Sequence, residues 1–254
     1  HRHQQRQIPR QRPVEADALH IGEEAQPEDR HGRHRAHQAE VAPLRTGTPA
    51  AAGAGQRMGH RPKCLLQLNG VSLLERQLQA LSEVGGAPLV VVLGHHAARI
   101  QQEEALTRWA VRTTVNAHPD DGHVSSLRTG LQALPWPLDA VLVALADQPL
   151  ISAQDVRDLL HAYAHRPEGT HMVQPSLQGL PGNPVIFSGT VAREILAHGP
   201  QIGVRQWQAM QPQAVYRWET PNDHYRTDVD NEDDRRSVEA STGQSLRWPM
   251  DLDV

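Results

Sequence analysis

Short apolar runs alternate with segments of helical spacing over residues 71–163, and this alternation limits the possible folds more than any other feature of the sequence. The runs PLVVVLG (88–94) and AVLVALADQP (140–149) are almost wholly apolar, as are strands that are covered on both faces. The segments VSLLERQLQALSEVG, from Val71, and SAQDVRDLLHAY (152–163) repeat apolar residues every three or four positions. This order predicts an α/β fold with a mostly parallel sheet between helices.

Further elements continue the pattern on both sides. We expect a helix over 96–106, a strand at VRTTVN (111–116), a helix at SSLRTGLQAL (125–134) with Ser125 or a nearby residue at its N-cap, strands at NPVIF and AVYRW, and a closing helix at NEDDRRSVEAS. Ser125 and Ser126 are alternatively placed to contact a nucleobase, and the sequence leaves the two roles open.

Composition changes sharply near residue 48. Residues 1–48 are rich in Arg, His, Gln, Glu and Pro and have almost no apolar periodicity, so they offer little surface to offset the entropy of ordering. We therefore expect a disordered tail over 1–48, a folded domain over 49–242 and a C-terminal tail over 243–254. Translation in a wrong upstream reading frame would produce the same composition. Residues 1–48 are therefore either a disordered tail or a segment that is not native to the protein.

Net charge and cysteine content exclude several classes of protein. The formal net charge of −4 over 254 residues provides no basic field for nucleic acid, and the single cysteine, Cys64, excludes an intramolecular disulfide. Cys64 begins the apolar run CLLQL and is expected to be buried. No apolar run approaches the roughly 18 residues that cross a bilayer, and the first residues have no apolar signal core. We expect a cytoplasmic protein without nucleic acid or membrane partners.

A glycine-rich segment, AAAGAGQRMGHRPKCLLQLNG (50–70), is the first candidate site. Its small residues would let backbone N–H groups approach a ligand closely, and Arg57 and Lys63 add fixed positive charge, a combination that suits phosphate. An ordinary flexible loop with solvated cations has the same pattern. The segment alone leaves both interpretations open.

Aspartates at two places are candidate metal ligands. Asp147 follows the apolar strand 140–146 directly, at the edge of the sheet where ligands bind, although aspartate before proline also forms turns. Asp228 and Asp230 would lie on the same side of an extended segment, and Asp230 could instead cap the following helix. Magnesium needs only one or two protein carboxylates when phosphates supply the remaining ligands.

Four separate motifs resemble one family. AAAGAGQRMGHRPKCLLQLNGVSLLERQLQAL resembles the signature of the MobA-like nucleotidyltransferases, LAAGxSxRMGxxK followed by a helix of LLE type. ADQP (146–149), GLPGNPVIF (179–187) and DVDNEDD (228–234) most resemble the molybdenum cofactor cytidylyltransferases. The resemblance covers about residues 50–240. It implies a single Rossmann-like three-layer α/β domain that transfers a nucleoside monophosphate to a phosphorylated acceptor and releases pyrophosphate.

The resemblance also implies roles for individual residues. The residues implied to line the nucleotide are Ala51, Ala52, Gly53, Ala54 and Gly55. Arg57 and Lys63 would hold the triphosphate, and both would act in catalysis together with Asp147. Asp147 would bind Mg²⁺, with Asp230 completing the metal site and Asp228 as the alternative ligand. Ala52 favours CTP over GTP. Asn183 stands near the implied acceptor pocket, where many relatives have histidine.

These roles predict transfer of CMP from CTP to the phosphate of molybdenum-molybdopterin, with a molybdenum hydroxylase receiving the product. Two alternatives stay open: a related nucleotidyltransferase that uses GTP or a sugar or polyol phosphate, and a non-catalytic module that binds and delivers the cofactor. One feature departs from the family. LRTGTPAA (44–51) has little strand character where a buried first strand is expected. Either a strand forms from about 44 to 52, or the residues before Pro49 are not the family's own start.

Overall fold

The apolar runs form the centre of a mixed sheet in the computed structural model, which describes residues 47–51, 55–85, 88–109 and 111–252. Its strands are β1 (Gly47–Ala51), β4 (Val90–Leu93), β5 (Arg112–Val115), β6 (Ala140–Leu145), β7 (Met172–Leu177), β8 (Leu180–Pro181), β9 (Val185–Ser188) and β10 (Val215–Glu219). They lie in the order β10-β7-β9-β6-β1-β4-β5, with β8 paired to β7. All neighbouring pairs are parallel except those that involve β8 or β9, so the predicted mostly parallel sheet is confirmed.

Helices cover both faces of this sheet. They are α1 (Leu73–Glu83), α2 (Ala97–Ile100), α3 (Glu104–Arg108), α4 (Gly122–Ala133), α5 (Ala153–Ala164), α6 (Gly189–Ala197), α7 (Val204–Met210) and α8 (Glu232–Thr242). Helices α1 and α5 pack in one apolar cluster with Val91 and Leu142, whereas α4, α6 and α7 pack in another with Val90 and Val141. Successive strand residues point to opposite faces, so uniformly apolar strands supply both clusters. The predicted Rossmann-like three-layer arrangement is confirmed.

Local capping explains where the main helices begin. The Ser72 hydroxyl accepts the Glu75 N–H at the start of α1, and Ser152 and Asp155 form a reciprocal capping box at α5. The predicted N-cap at Ser125 is wrong. Helix α4 begins at Gly122, directly after the 3₁₀ turn Pro119–Asp121, so Ser125 lies inside the helix. The predicted helix 96–106 is divided into α2 and α3.

The first strand forms from the segment with little strand character. Strand β1 pairs in parallel with β6, from Gly47 opposite Leu142 to Ala50 opposite Leu145, and also with β4. Pairing on both sides overrides the weak local preference of this segment, because strand propensity depends mainly on context. The expected tail over 1–48 lies outside the described residues, except for Gly47 and Thr48 in β1.

The last described residues pack against the domain. Strand β11 (Leu246–Arg247) pairs antiparallel with β2 (Gln67–Leu68), which pairs with β3 (Val71–Ser72) in a small second sheet. Trp248 is 7% exposed and belongs to an apolar cluster with Met58 and Val238. The segment 243–252, which we expected to be part of a tail, therefore packs against β2 and Met58. None of the described helices is both long and apolar enough to cross a membrane.

Candidate functional site

A cleft of about 640 Å³ opens beside the carboxyl ends of β1, β4 and β6. Parallel strands commonly bind ligands at this edge, because the loops that follow several strands meet there. The residues predicted to hold the nucleotide, the metal ion or the acceptor line this cleft wherever the structure describes them: Ala51, Gly55, Arg57, Lys63, Asp147, Asn183, Asp228 and Asp230. Ala52, Gly53 and Ala54 lie outside the described residues.

Gly55 begins a tight loop that carries the chain from β1 to Lys63. Its φ of +61° is left-handed, and its carbonyl oxygen accepts the N–H groups of Met58 and His60 at 2.9 Å. A Cβ at this position would lie 1.9 Å from the carbonyl oxygen of Arg61. Glycine is therefore required at position 55 by both its dihedral angle and its close contact.

Lys63 bridges two carboxylates that come from distant parts of the chain. Its Nζ donates to Asp147 Oδ2 at 3.0 Å and to Asp230 Oδ1 at 2.6 Å, and the lysine side chain is 14% exposed. Burial by itself would lower the pKa of Lys63, but the two carboxylates outweigh it and raise that pKa. Lys63 is the only lysine among the 254 residues, a signal that a count of residue types would have found.

Three aspartates share the centre of the cleft. The N–H of Val229 donates to the carbonyl oxygen of Asp147 at 3.0 Å, which holds the segment 228–230 against the end of β6. Burial, and then the neighbouring carboxylates of Asp230 and Asp147, raise the pKa of Asp228. The hydrogen bond from Lys63 lowers the pKa of Asp230. The single ammonium group of Lys63 offsets only part of the negative charge of the three aspartates, so this position suits a further cation.

Asn231, rather than Asp230, caps the following helix. The Asn231 side chain accepts the N–H groups of Asp233 and Asp234, and the Asp234 carboxylate accepts the N–H groups of Asp230 and Asn231. The interpretation of Asp230 as the helix cap is therefore wrong. Because Asn231 caps the helix, the Asp230 side chain is not needed there, and it accepts the hydrogen bond from Lys63 instead.

The arrangement fits a metal ion that is held jointly by protein and phosphate. Among the described residues, no group of three or more His, Cys, Asp or Glu side chains could hold a metal ion alone. Asp147 Oδ1, however, is buried and has no hydrogen-bond partner within the described ranges. Buried polar atoms normally have partners, and Mg²⁺ accepts one or two carboxylates when phosphates complete its shell. Asp147 and Asp230 match that requirement.

Gln148 connects the segment at Asn183 to the backbone of Tyr225. Its side chain, in a residue that is 2% exposed, donates to the carbonyl oxygens of Asn183 at 3.2 Å and Tyr225 at 3.1 Å. The N–H of Asn183 donates to the same Tyr225 carbonyl at 2.8 Å. No local pattern could have indicated this role of Gln148, because it depends on contacts over 35 and 77 residues.

Several lining residues were missed by sequence reasoning. They are His95, Asp120, His123 and Arg205. His95 Nε2 lies 2.8 Å from Asp120 Oδ1. His95 stands two residues after β4, so it could have been found as Asp147 was, because ligands bind at the carboxyl ends of parallel strands. Ser126, left open between capping and ligand contact, lines the cleft, and its hydroxyl accepts a hydrogen bond from Asn116 at 3.0 Å.

Cys64 lines the cleft but is unsuited to nucleophilic chemistry. It is 6% exposed, and burial raises the pKa of its thiol to about 12. The expected burial of this residue is confirmed.

Sequence comparisons identify relatives for the same region. The family described as the MobA-like NTP transferase domain matches residues 50–215, more than half of the chain. The nicotine blue oxidoreductase of Paenarthrobacter nicotinovorans is 37% identical over 125 residues, which are 49% of this chain and 59% of that protein. The bifunctional protein GlmU of Mycobacterium ulcerans is 37% identical over 119 residues, which are 45% of this chain and 24% of that protein. The chain thus spans well under two thirds of either relative.

Solved structures share the fold. A nucleotidyl transferase from Methanothermobacter thermautotroptrophicus is 25% identical, with a TM-score of 0.63 over 79% of this chain and 98% of that one. Rv0371c from Mycobacterium tuberculosis is 24% identical, with a TM-score of 0.65 over 78% of this chain and all of that one. A second structure of Rv0371c is a complex with manganese. With residues 50–215 matched and the fold shared, the chain belongs to the MobA-like NTP transferase family.

Proposed function

We propose that the protein transfers CMP from CTP to the phosphate of a molybdopterin-type acceptor that carries molybdenum, with release of pyrophosphate. The observation that carries the proposal is the position of Lys63, between Asp147 and Asp230 at the strand-end cleft and beside the loop at Gly55. Nucleotidyl transfer needs cations on phosphate oxygens and carboxylates that hold a metal, and this cleft has both.

Arg57 and Lys63 are the residues that we assign to the triphosphate. Both line the cleft beside Gly55, whose tight turn directs the chain around the ligand position. Arginine binds phosphate through paired hydrogen bonds, whereas lysine acts as a compact point charge. Lys63 would exchange its carboxylate partners for phosphate oxygens when a metal ion takes over the charge balance of the two aspartates.

Asp147 and Asp230 would hold Mg²⁺ together with phosphate oxygens, with Asp228 as the alternative to Asp230. The manganese complex of Rv0371c supports a divalent ion in a related fold, since Mn²⁺ and Mg²⁺ prefer the same oxygen ligands. When bound, the ion neutralises charge between the α-phosphate and the leaving pyrophosphate.

The reaction then needs no covalent intermediate with the protein. An oxygen of the acceptor phosphate forms a bond to the α-phosphorus of CTP, and the bond from that phosphorus to the β-phosphate oxygen breaks. Pyrophosphate carries away the electron pair. The chain contributes by aligning two anions and offsetting their charge, which are the main sources of catalysis for phosphoryl-type transfers.

Ala52 supports CTP as the nucleotide, because it matches the branch of the family that uses cytidine nucleotides. Asn183 lines the cleft where we expect the acceptor, at a position where many relatives have histidine. A molybdenum hydroxylase would receive the product. GTP, and sugar or polyol phosphates, are the alternatives that the same chemistry would serve.

Pyrophosphate release tests this proposal. The full chain is mixed with Mg²⁺ and each of the four ribonucleoside triphosphates, with molybdenum-molybdopterin, glucosamine 1-phosphate or no acceptor. We expect release with CTP and the pterin acceptor, and its loss in Asp147→Asn. Release with another nucleotide or with the sugar phosphate would assign a different transferase activity. Tight binding of the pterin without release under any condition would indicate a delivery module.

A further inference from the structure

Arg205 and His123 line the cleft from two helices, neither of which carries a residue that we assign to the triphosphate or to the metal ion. Arg205 lies on α7 and His123 on the first turn of α4, and both are exposed. The Arg205 side chain makes no hydrogen bond or ion pair with another residue in the ranges that the structure describes. It is a guanidinium group that faces the cleft and is available to a ligand.

Close packing brings the two helices together. Gly203 precedes α7, and a Cβ there would lie 2.9 Å from Cγ2 of Val124 on α4. The start of α7 therefore lies directly against the first turn of α4, next to His123. Glycine permits this approach, so Arg205 and His123 belong to one wall of the cleft.

Helix α7 is firmly anchored, although it is short. Trp207 is 2% exposed, and its Nε1 donates to Glu194 Oε2 on α6 at 2.7 Å. Gln208, on the same helix, donates to Gln174 Oε1 on β7 at 2.9 Å. These contacts fix the backbone that carries Arg205, so its side chain starts from a defined position, as a binding residue requires.

The charges of the cleft require a cation on this wall. The transfer joins two phosphates, and the three central aspartates repel any anion that is not neutralised. Arg57 and Lys63 come from the loop side and are assigned to the triphosphate. The second anion must therefore find its own positive partner.

We propose that Arg205 and His123 form a subsite for the phosphomonoester group of the acceptor. The subsite rests on the proposed function, because it takes the attacking phosphate to be a separate anion from the triphosphate. The guanidinium of Arg205 can bind two phosphate oxygens in parallel, and the imidazole of His123 can donate to one of them. An oxygen of the same phosphate is left for attack.

Inorganic phosphate is the probe for this subsite. The full chain is first saturated with Mg²⁺ and α,β-methylene CTP, which occupies the triphosphate position without turnover, and phosphate is then titrated by calorimetry. We expect Arg205→Gln to weaken phosphate binding at least tenfold while the affinity for the analogue stays the same. Arg205→Lys should recover part of the loss, because it restores the charge without the paired donors.

Arg193→Gln is the matched control, since Arg193 is exposed on α6 and bonds only to the nearby Thr190 among described residues. It should leave phosphate binding unchanged. Unaltered phosphate affinity in Arg205→Gln, or no phosphate binding by the wild type, would overturn the subsite. If the wild type binds no nucleotide analogue, the proposed function fails by itself. The phosphate titration without nucleotide then still decides the subsite, through the difference between Arg205→Gln and Arg193→Gln.

Discussion

Replacing Lys63 by methionine tests the centre of the cleft most directly. The change keeps most of the side-chain volume but removes the ammonium group that donates to Asp147 at 3.0 Å and to Asp230 at 2.6 Å. Two carboxylates would then face each other without a cation. We expect the metal-free protein to lose stability and to become more responsive to Mg²⁺.

The size of the loss follows from the exposure of each partner. The Lys63 and Asp147 side chains are 14% and 24% exposed, so their charge-assisted hydrogen bond should contribute about 1.5–3 kcal/mol. The Asp230 side chain is 46% exposed and screened by solvent, so its bond should contribute about 0.2–1 kcal/mol. The free energy of unfolding should fall by about 2–4 kcal/mol, equivalent to about 4–16 °C in Tm for a domain of this size.

Thermal unfolding with EDTA and with excess Mg²⁺ measures both effects. In the wild type the ammonium competes with the metal for the two carboxylates, whereas in Lys63→Met the metal has them alone. Mg²⁺ should therefore raise the Tm of the variant more than that of the wild type. CTP should nevertheless bind the variant about 10–150-fold more weakly, because a charge-assisted phosphate contact is lost.

Arg236→Gln is the control for removing one positive charge, since Arg236 forms an exposed ion pair with Asp233. Its thermal stability should stay close to that of the wild type, because solvent screens the exposed pair, and its response to Mg²⁺ should be that of the wild type. A wild-type Tm for Lys63→Met in EDTA would refute the stabilising bridge. An equal response to Mg²⁺ in variant and wild type would refute competition between ammonium and metal.

Three further changes address other parts of the site and its support. Asp147→Asn should keep the fold but abolish most Mg²⁺-dependent pyrophosphate release, because an amide is a poor ligand for a hard cation; full activity would remove Asp147 from the metal site. Burial alone would raise the pKa of Asp155, but its hydrogen bonds, chiefly from Ser152, hold that pKa below the usual 3.8. Its ionised form therefore stabilises the fold above about pH 4, and this stability is lost as the pH falls through the lower folded pKa. Asp155→Asn should cost about 1–3 kcal/mol at neutral pH and reduce the loss on acidification, measured by urea unfolding across pH; an unchanged pH profile would contradict this. Gly182→Ala should lower the free energy of unfolding by about 1–3 kcal/mol, since the new Cβ would lie 2.6 Å from the Tyr225 carbonyl oxygen. Gly199→Ala is the control: no described atom lies within 4 Å of its Cβ, so the same urea assay should show a change of less than about 0.5 kcal/mol.

The sequence by itself determined the fold class and the edge of the sheet at which the candidate site lies. Apolar runs such as 88–94 and 140–149 specify buried strands, since burial on both faces is encoded in consecutive residues. Asp147 could be located at the carboxyl end of its strand for the same reason. The predicted start of the helix at residues 152–163 is confirmed as well: α5 begins at Ala153, where the cap of Ser152 and Asp155 depends on residues only three positions apart.

Only the tertiary structure decided which distant groups meet. Strand β1 forms at Pro49 because β4 and β6 pair with it on both sides, and nothing in its own residues indicates a central strand. Lys63 contacts carboxylates 84 and 167 residues away, distances over which no local pattern operates. Likewise, Arg205 reaches the cleft only because α7 packs against α4 at Gly203. Periodicity and capping act between neighbours in the chain, whereas a binding site depends on how whole elements pack.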